Sequence, residues 1–169
     1  MKYFKITVGI FLVLAASRFI PHPPNFTSLI ALSFYVPLLF GLNFIPAVMI
    51  CFIVTDIIIG FHFTTFFTWG SVLIIGLLSS YFKEKLSKRV FGSLIGAVVF
   101  FIISNFGVWL LSNTYSGDIT GLITCYVMGI PFLKNSLASS LAIAVFIELL
   151  ITMKFAKVYI SKINTKFSY

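Results

Sequence analysis

Acidic residues are nearly missing from this sequence. Its 169 residues hold four, Asp56, Glu84, Asp118 and Glu148, and charged residues of both signs make up 9%. A soluble domain carries about a quarter, so this composition excludes an ordinary soluble fold. Cysteine is scarce too. Cys51 and Cys125 lie in apolar stretches without metal-site or redox spacing, which excludes a disulfide scaffold and a zinc module and leaves both as small buried hydrophobes. No zinc-binding His pair, phosphate-binding glycine loop, nucleophile elbow or pair of carboxylates occurs. The serine pairs Ser79-Ser80 and Ser139-Ser140 have no base near them in sequence. The sequence therefore reads as a non-enzyme with no cofactor and no metal. Linkers, repeats and low-complexity tracts are missing as well, so residues 1–169 form one domain. The apolar runs lack the alternation of barrel strands, which excludes a transmembrane sheet.

What is present is apolar: 60% hydrophobic residues and a mean hydropathy of +1.11. A charge in hydrocarbon costs on the order of 2–4 kcal/mol, and the twelve Lys and Arg obey that cost by collecting at the ends of apolar runs. Lys2 and Lys5 precede the first run. Lys83, Lys85, Lys88 and Arg89 fill one loop, and Lys154, Lys157, Lys162 and Lys166 follow the last run. The net charge of +8 forms no continuous face, so nucleic acid is not the partner; anionic lipid headgroups are.

The runs predict an all-α membrane protein, a bundle of six transmembrane helices over Tyr3–Ile20, Thr27–Phe40, Asn43–Gly60, Thr64–Phe82, Val90–Leu111 and Asn135–Lys157. Six spans put both termini on one side. That side gathers ten of the twelve Lys and Arg, and the other holds only Arg18 and Lys134. The positive-inside rule then makes both termini cytoplasmic in a multi-pass protein of the bacterial inner membrane. Lys2, Lys5, an apolar run and Ala15-Ala16-Ser17 also resemble a signal peptide. Cleavage would leave five spans with the two most basic segments on opposite sides, so the uncleaved helix is the better reading.

Two features depart from a plain bundle. The second and third helices are short and joined by a tight turn at Gly41-Leu42-Asn43, with Pro37 and Pro46 flanking it. A 14-residue helix spans about 21 Å of the roughly 30 Å hydrocarbon core, which predicts a recess at its outer end. The second feature is the long fifth-to-sixth external connection, Ser112–Lys134. Its first residues read as turn, and Thr120–Met128 reads as a short helix stopped by Gly129 and Pro131. It predicts either a lid over the bundle or a loop packed on its top.

Several polar residues fall in the outer layer. Pro21-His22-Pro23-Pro24-Asn25-Phe26-Thr27 stiffens the exit from the first helix; it either presents His22 and Asn25 to a ligand or only stops one helix and caps the next. Asp56 lies among apolar residues about 9 Å inside His62, and Arg18 is its expected partner. Asn105 and Trp109, four residues apart, share a helix face. Tyr115, Tyr126, Trp69, Thr65 and Thr68 lie at similar depth. Arg18, His22, Asn25, Asp56, His62, Asn105, Trp109 and Tyr126 are thus the candidate ligand-binding residues. Glu148 lies in the inner half of the last helix, where Lys85, Lys88 or a cytoplasmic partner would pair with it. Gly92 and Gly96, with Ser136, Ser140 and Ala144, mark close helix contacts.

Arg18-Phe-Ile-Pro-His-Pro-Pro-Asn-Phe-Thr27, the stretch from Pro46 through Thr55-Asp56 to Gly60, Ser104 through Trp109, Gly121 to Tyr126 and Ile130-Pro131-Phe132 together resemble an uncharacterised family of small bacterial inner-membrane proteins. More loosely, the early Arg, the Pro-rich loop, the short helix pair and an intramembrane Asp followed by Gly resemble the substrate-binding S component of energy-coupling-factor importers. That second resemblance implies uptake of a small-molecule ligand bound near the external face. Its partners would be a transmembrane coupling subunit and ATPases. The chain departs from it in lacking an Ala-xxx-Ala face on the first helix and a Met-His start, so a metal substrate is not implied. The competing expectation is a non-transporting membrane scaffold or assembly factor, in which the same polar residues only lock helices together.

Overall fold

A computed structural model describes residues 2–153. All regular structure among them is helical: α1 (Lys2–Phe19), α2 (Leu29–Phe40), α3 (Ile45–Ile59), α4 (Thr65–Leu78), α5 (Leu86–Leu111) and α6 (Ile119–Thr152). Single 3-10 turns, Leu42–Phe44 and Ser79–Phe82, extend α3 and α4. Four of these stretches are long and apolar enough to cross a membrane: Leu42–Ile59, Thr65–Phe82, Leu86–Leu111 and Ile119–Thr152. Of the other two, α1 has 18 residues but carries Lys2, Lys5 and Arg18, and α2 has only 12. The end of the sixth expected span and the last four lysines, Lys154, Lys157, Lys162 and Lys166, lie outside the described residues.

The bundle is built around α2. Ten of its twelve residues, Leu29 to Leu38, are buried. A helix that is apolar on every side belongs in the middle of a bundle, and α2 packs on α3, α4, α5 and α6. Small residues let α5 come close. A Cβ at Gly92 would stand 2.5 Å from Phe34 Cζ, and one at Gly96 would meet Ile75 at 3.2 Å. Ser136, Ser140 and Ala144 of α6 are buried as well, so these small residues serve packing within the chain. Peripheral α1 lays Ile6, Ile10 and Leu14, spaced one helical turn apart, against the core, chiefly on α3.

The sixth helix overturns the expectation of a separate short helix in a long external connection. Ile119–Thr152 is one helix of 34 residues with Pro131 inside it, and the connection from α5 is residues 112–118 alone. Among the described residues, most of the segment expected as a lid is the start of α6. Proline removes one backbone hydrogen bond, a loss that neighbouring helices offset in a bundle. Gly129 does not end the helix either. It is where α6 meets α5, and a Cβ there would lie 2.5 Å from Asn105 Oδ1. The signal read as a stop is a contact. The true start is Asp118, whose carboxylate accepts from Gly121 N and from Ser116 Oγ, both at 2.7 Å. The Ser116 hydrogen bond, then the Gly121 amide, hold this carboxyl below the ordinary range. Lys134, expected in that connection, is an exposed residue within α6.

Candidate functional site

The connections α1–α2, α3–α4 and α5–α6 share one end of the bundle, and there a cavity of about 540 Å³ opens. Its floor is the start of α2, where Leu29 and Ile30 line it. Because α2 begins so low, the outer halves of α3 and α5, the start of α4 and the stretch of α6 from Cys125 to Ser136 stand around it as walls. This is the recess expected from the short helix. Phe52, Phe100 and Phe132 supply apolar wall, and Thr68, Ser104 and Ser136 supply hydroxyls.

Five of the eight candidate residues line this cavity: Arg18, His22, Asn25, His62 and Asn105. Arg18 comes from the last turn of α1. Its Nη2 lies 2.6 Å from Asp56 Oδ1, its Nη1 donates to Thr55 Oγ1 at 2.5 Å, and its guanidinium sits 4.8 Å from the Phe52 ring centre. His22 and Asn25 stand on the proline loop. His22 Nδ1 is 2.7 Å from the Pro23 carbonyl. A carbonyl only accepts, so Nδ1 carries the proton and Nε2 is left for another partner. Asn25 takes φ +62, a left-handed conformation that asparagine tolerates better than most residues. The loop is tied across to α6, because Asn135 Nδ2 donates to the Pro24 carbonyl at 2.9 Å.

His62 follows Gly60, whose φ of +105 turns the chain out of α3. The His62 backbone is fixed by Thr65, which accepts from its amide and donates to its carbonyl, and its Nδ1 is 3.0 Å from Thr64 Oγ1. Asn105 Nδ2 donates to the Phe101 carbonyl at 2.8 Å on its own helix.

Three candidates are placed elsewhere. Asp56 is 1% exposed and lies behind Arg18, and its second oxygen accepts from Trp69 Nε1 at 2.7 Å. It holds the wall without facing the cavity. Trp109 does not line the cavity despite the face it shares with Asn105. One turn farther out, its Nε1 donates to the Ser116 carbonyl at 3.0 Å and pins the α5–α6 turn. Tyr126 is turned toward α5, its hydroxyl donating to the Ile102 carbonyl at 2.8 Å. A sequence gives depth along a helix but not where around the bundle a side chain turns.

Sequence reasoning passed over Thr64 and Ser104, and it read Ser136 only as a packing residue. Their common signal is a small polar residue in the outer half of an apolar run, which also marks ordinary helix contacts. It did not name Arg89 as the partner of Glu148. Lys85 and Lys88 are not that partner: Lys88 pairs with Glu84 at 2.6 Å. Glu148, 4% exposed, is gripped by Arg89 through Nε at 2.7 Å and Nη2 at 2.6 Å, and it accepts from the Tyr35 hydroxyl at 3.0 Å.

A model described as a family of unknown function (DUF6580) matches residues 1–161, and the chain belongs to that family. No curated protein and no solved structure matches it.

Proposed function

We propose that this chain is a membrane-embedded substrate-binding protein for uptake of a small organic molecule. It would act as the S components of energy-coupling-factor importers do, with energy from a separate coupling subunit and its ATPases. The observation that carries this reading is the cavity of about 540 Å³, within the usual range of roughly 300–1,000 Å³ for ligand pockets. It combines apolar walls with convergent polar groups, including five side chains picked from sequence. All six helices cross the membrane in this reading. Helix α6, about 51 Å long at 1.5 Å per residue, does so by tilting or by standing proud of the surface. Both termini are cytoplasmic, on the ten-to-two division of Lys and Arg, and the cavity faces outward.

Native mass spectrometry of the protein released from membranes tests the binding reading. A small-molecule adduct is expected on the wild type and is expected to be lost in Ser104→Trp, which fills the cavity. A reporter fused after Tyr169 should read cytoplasmic, and one inserted at Gly117 should read external.

One observation favours the scaffold alternative. Among the described residues, the buried carboxylates Asp56 and Glu148 are each paired with an arginine of the chain, so Arg18 and Glu148 already have structural partners. A stable protein complex without any small-molecule adduct would decide for it.

A further inference from the structure

The cavity has one charged side chain among the described residues that line it, Arg18. That charge is already cancelled. Asp56 meets the guanidinium at 2.6 Å and is itself sealed, with 2% of its side chain exposed. Thr55 takes the other terminal nitrogen. The carboxylate cannot serve a cationic guest, because Arg18 covers one oxygen and Trp69 the other. The remaining polar lining is amide, hydroxyl, thiol and imidazole, with no other Lys, Arg, Asp or Glu among it. The start of α2 adds roughly half an elementary positive charge to the floor. That suits a carbonyl oxygen and falls short of what an ion leaving water requires. Walls of Phe52, Phe100 and Phe132 complete a site with an apolar body and a hydrogen-bonding edge.

Resting on the binding reading above, we propose that this cavity selects an uncharged amphipathic molecule and rejects carboxylates and amines of the same shape. Asp56 is the residue that sets this selectivity. It does so from behind the wall, by neutralising Arg18.

Two shape-matched probe series test the proposal on the full chain in nanodiscs at pH 8: benzamide, benzoate and benzamidine, and indole-3-acetamide, indole-3-acetate and tryptamine. Binding is read by ligand-observed NMR, with Ser104→Trp as the filled-cavity control. Each amide is expected to bind at least about tenfold more tightly than its charged relatives, because an uncompensated ion loses its hydration. In Asp56→Asn the guanidinium loses its counter-charge, and both carboxylates should gain about tenfold or more relative to their amides. Arg18→Gln combined with Asp56→Asn leaves no buried charge and should restore the amide preference, which a merely structural role for Asp56 does not predict. Wild-type protein that binds either ion as well as the amide, in a manner lost in Ser104→Trp, overturns the charge rule and leaves the cavity a binding site. So does a folded Asp56→Asn with unchanged ratios. If Asp56→Asn does not fold, the wild-type ratios decide. Binding of no probe, or binding that Ser104→Trp does not affect, removes the binding reading and this inference with it.

Discussion

Arg18–Asp56 and Arg89–Glu148 are the same chemistry in two settings. Arg89 grips both oxygens of Glu148, Tyr35 adds a third hydrogen bond, and the cluster joins α2, α5 and α6. Arg18 reaches one oxygen of Asp56, gives its other terminal nitrogen to Thr55, and stands on a cavity wall. In one, Glu148 is 4% exposed among packed helices at the end away from the cavity, and Arg89 keeps 19% of its side chain exposed. The other, with Arg18 13% exposed, fronts the cavity. An ion pair at a helix junction only holds helices together. An ion pair that forms a wall also sets the charge that a guest would meet.

The comparison is broken most directly at the Arg89–Glu148 pair. Glu148→Ala takes three hydrogen bonds from Arg89 and Tyr35 and should destabilise by about 3–5 kcal/mol, whereas Arg89→Met with Glu148→Leu should cost far less. Unfolding in mixed micelles measures both. A double variant as costly as the sum of Arg89→Met and Glu148→Leu alone would mean that the pair is not coupled.

At the cavity, the carboxylate takes two side-chain hydrogen bonds, from Arg18 and Trp69, where Glu148 takes three. Arg18→Ala and Asp56→Ala should therefore each cost less, about 2–3 kcal/mol, with a double variant well below their sum. If the cavity pair proves as costly as the Arg89–Glu148 pair, the number of hydrogen bonds does not set the difference. Tyr35→Phe removes one hydroxyl from the Glu148 cluster and should cost about 1 kcal/mol in the same assay.

The smallest effect lies outside both pairs. The carboxyl of Asp118 is held low by Ser116 and Gly121. Its contribution is therefore complete above the ordinary unfolded value of about 3.9 and is lost as pH falls through the lower folded value. Amide exchange at Gly121 should quicken over that acid range and in Asp118→Ala, while global unfolding stays unchanged. A global shift in Asp118→Ala would tie the α5–α6 turn to the core.

Much of this fold was legible because lipid-compatible chains write their architecture in one dimension. Apolar runs marked part of each of the six helices among the described residues, and the tight turn at Gly41 and the short α2 pointed to the recess. The α5–α6 region was misread because Gly129 and Pro131 carry the same letters whether they stop a helix or pack one. Only the approach of Asn105 and Phe101 to Gly129 distinguishes the two. The partner of Glu148 was missed by one residue. Lys88 and Arg89 adjoin in sequence, but a step of one turns the side chain about 100° around the helix, and that angle gave Lys88 to Glu84 and Arg89 to Glu148.

The sequence by itself determined the helical class and the approximate depth of the outer polar residues. Hydrophobicity and charge act on depth, and depth follows position in the chain. Tertiary structure decided direction. It turned Asn105 to the cavity and Trp109 to the turn above it, set Asp56 behind Arg18, and joined α6 through its proline. Those outcomes depend on how six helices rotate to fit one another, and packing fixes that rotation only when all six are present.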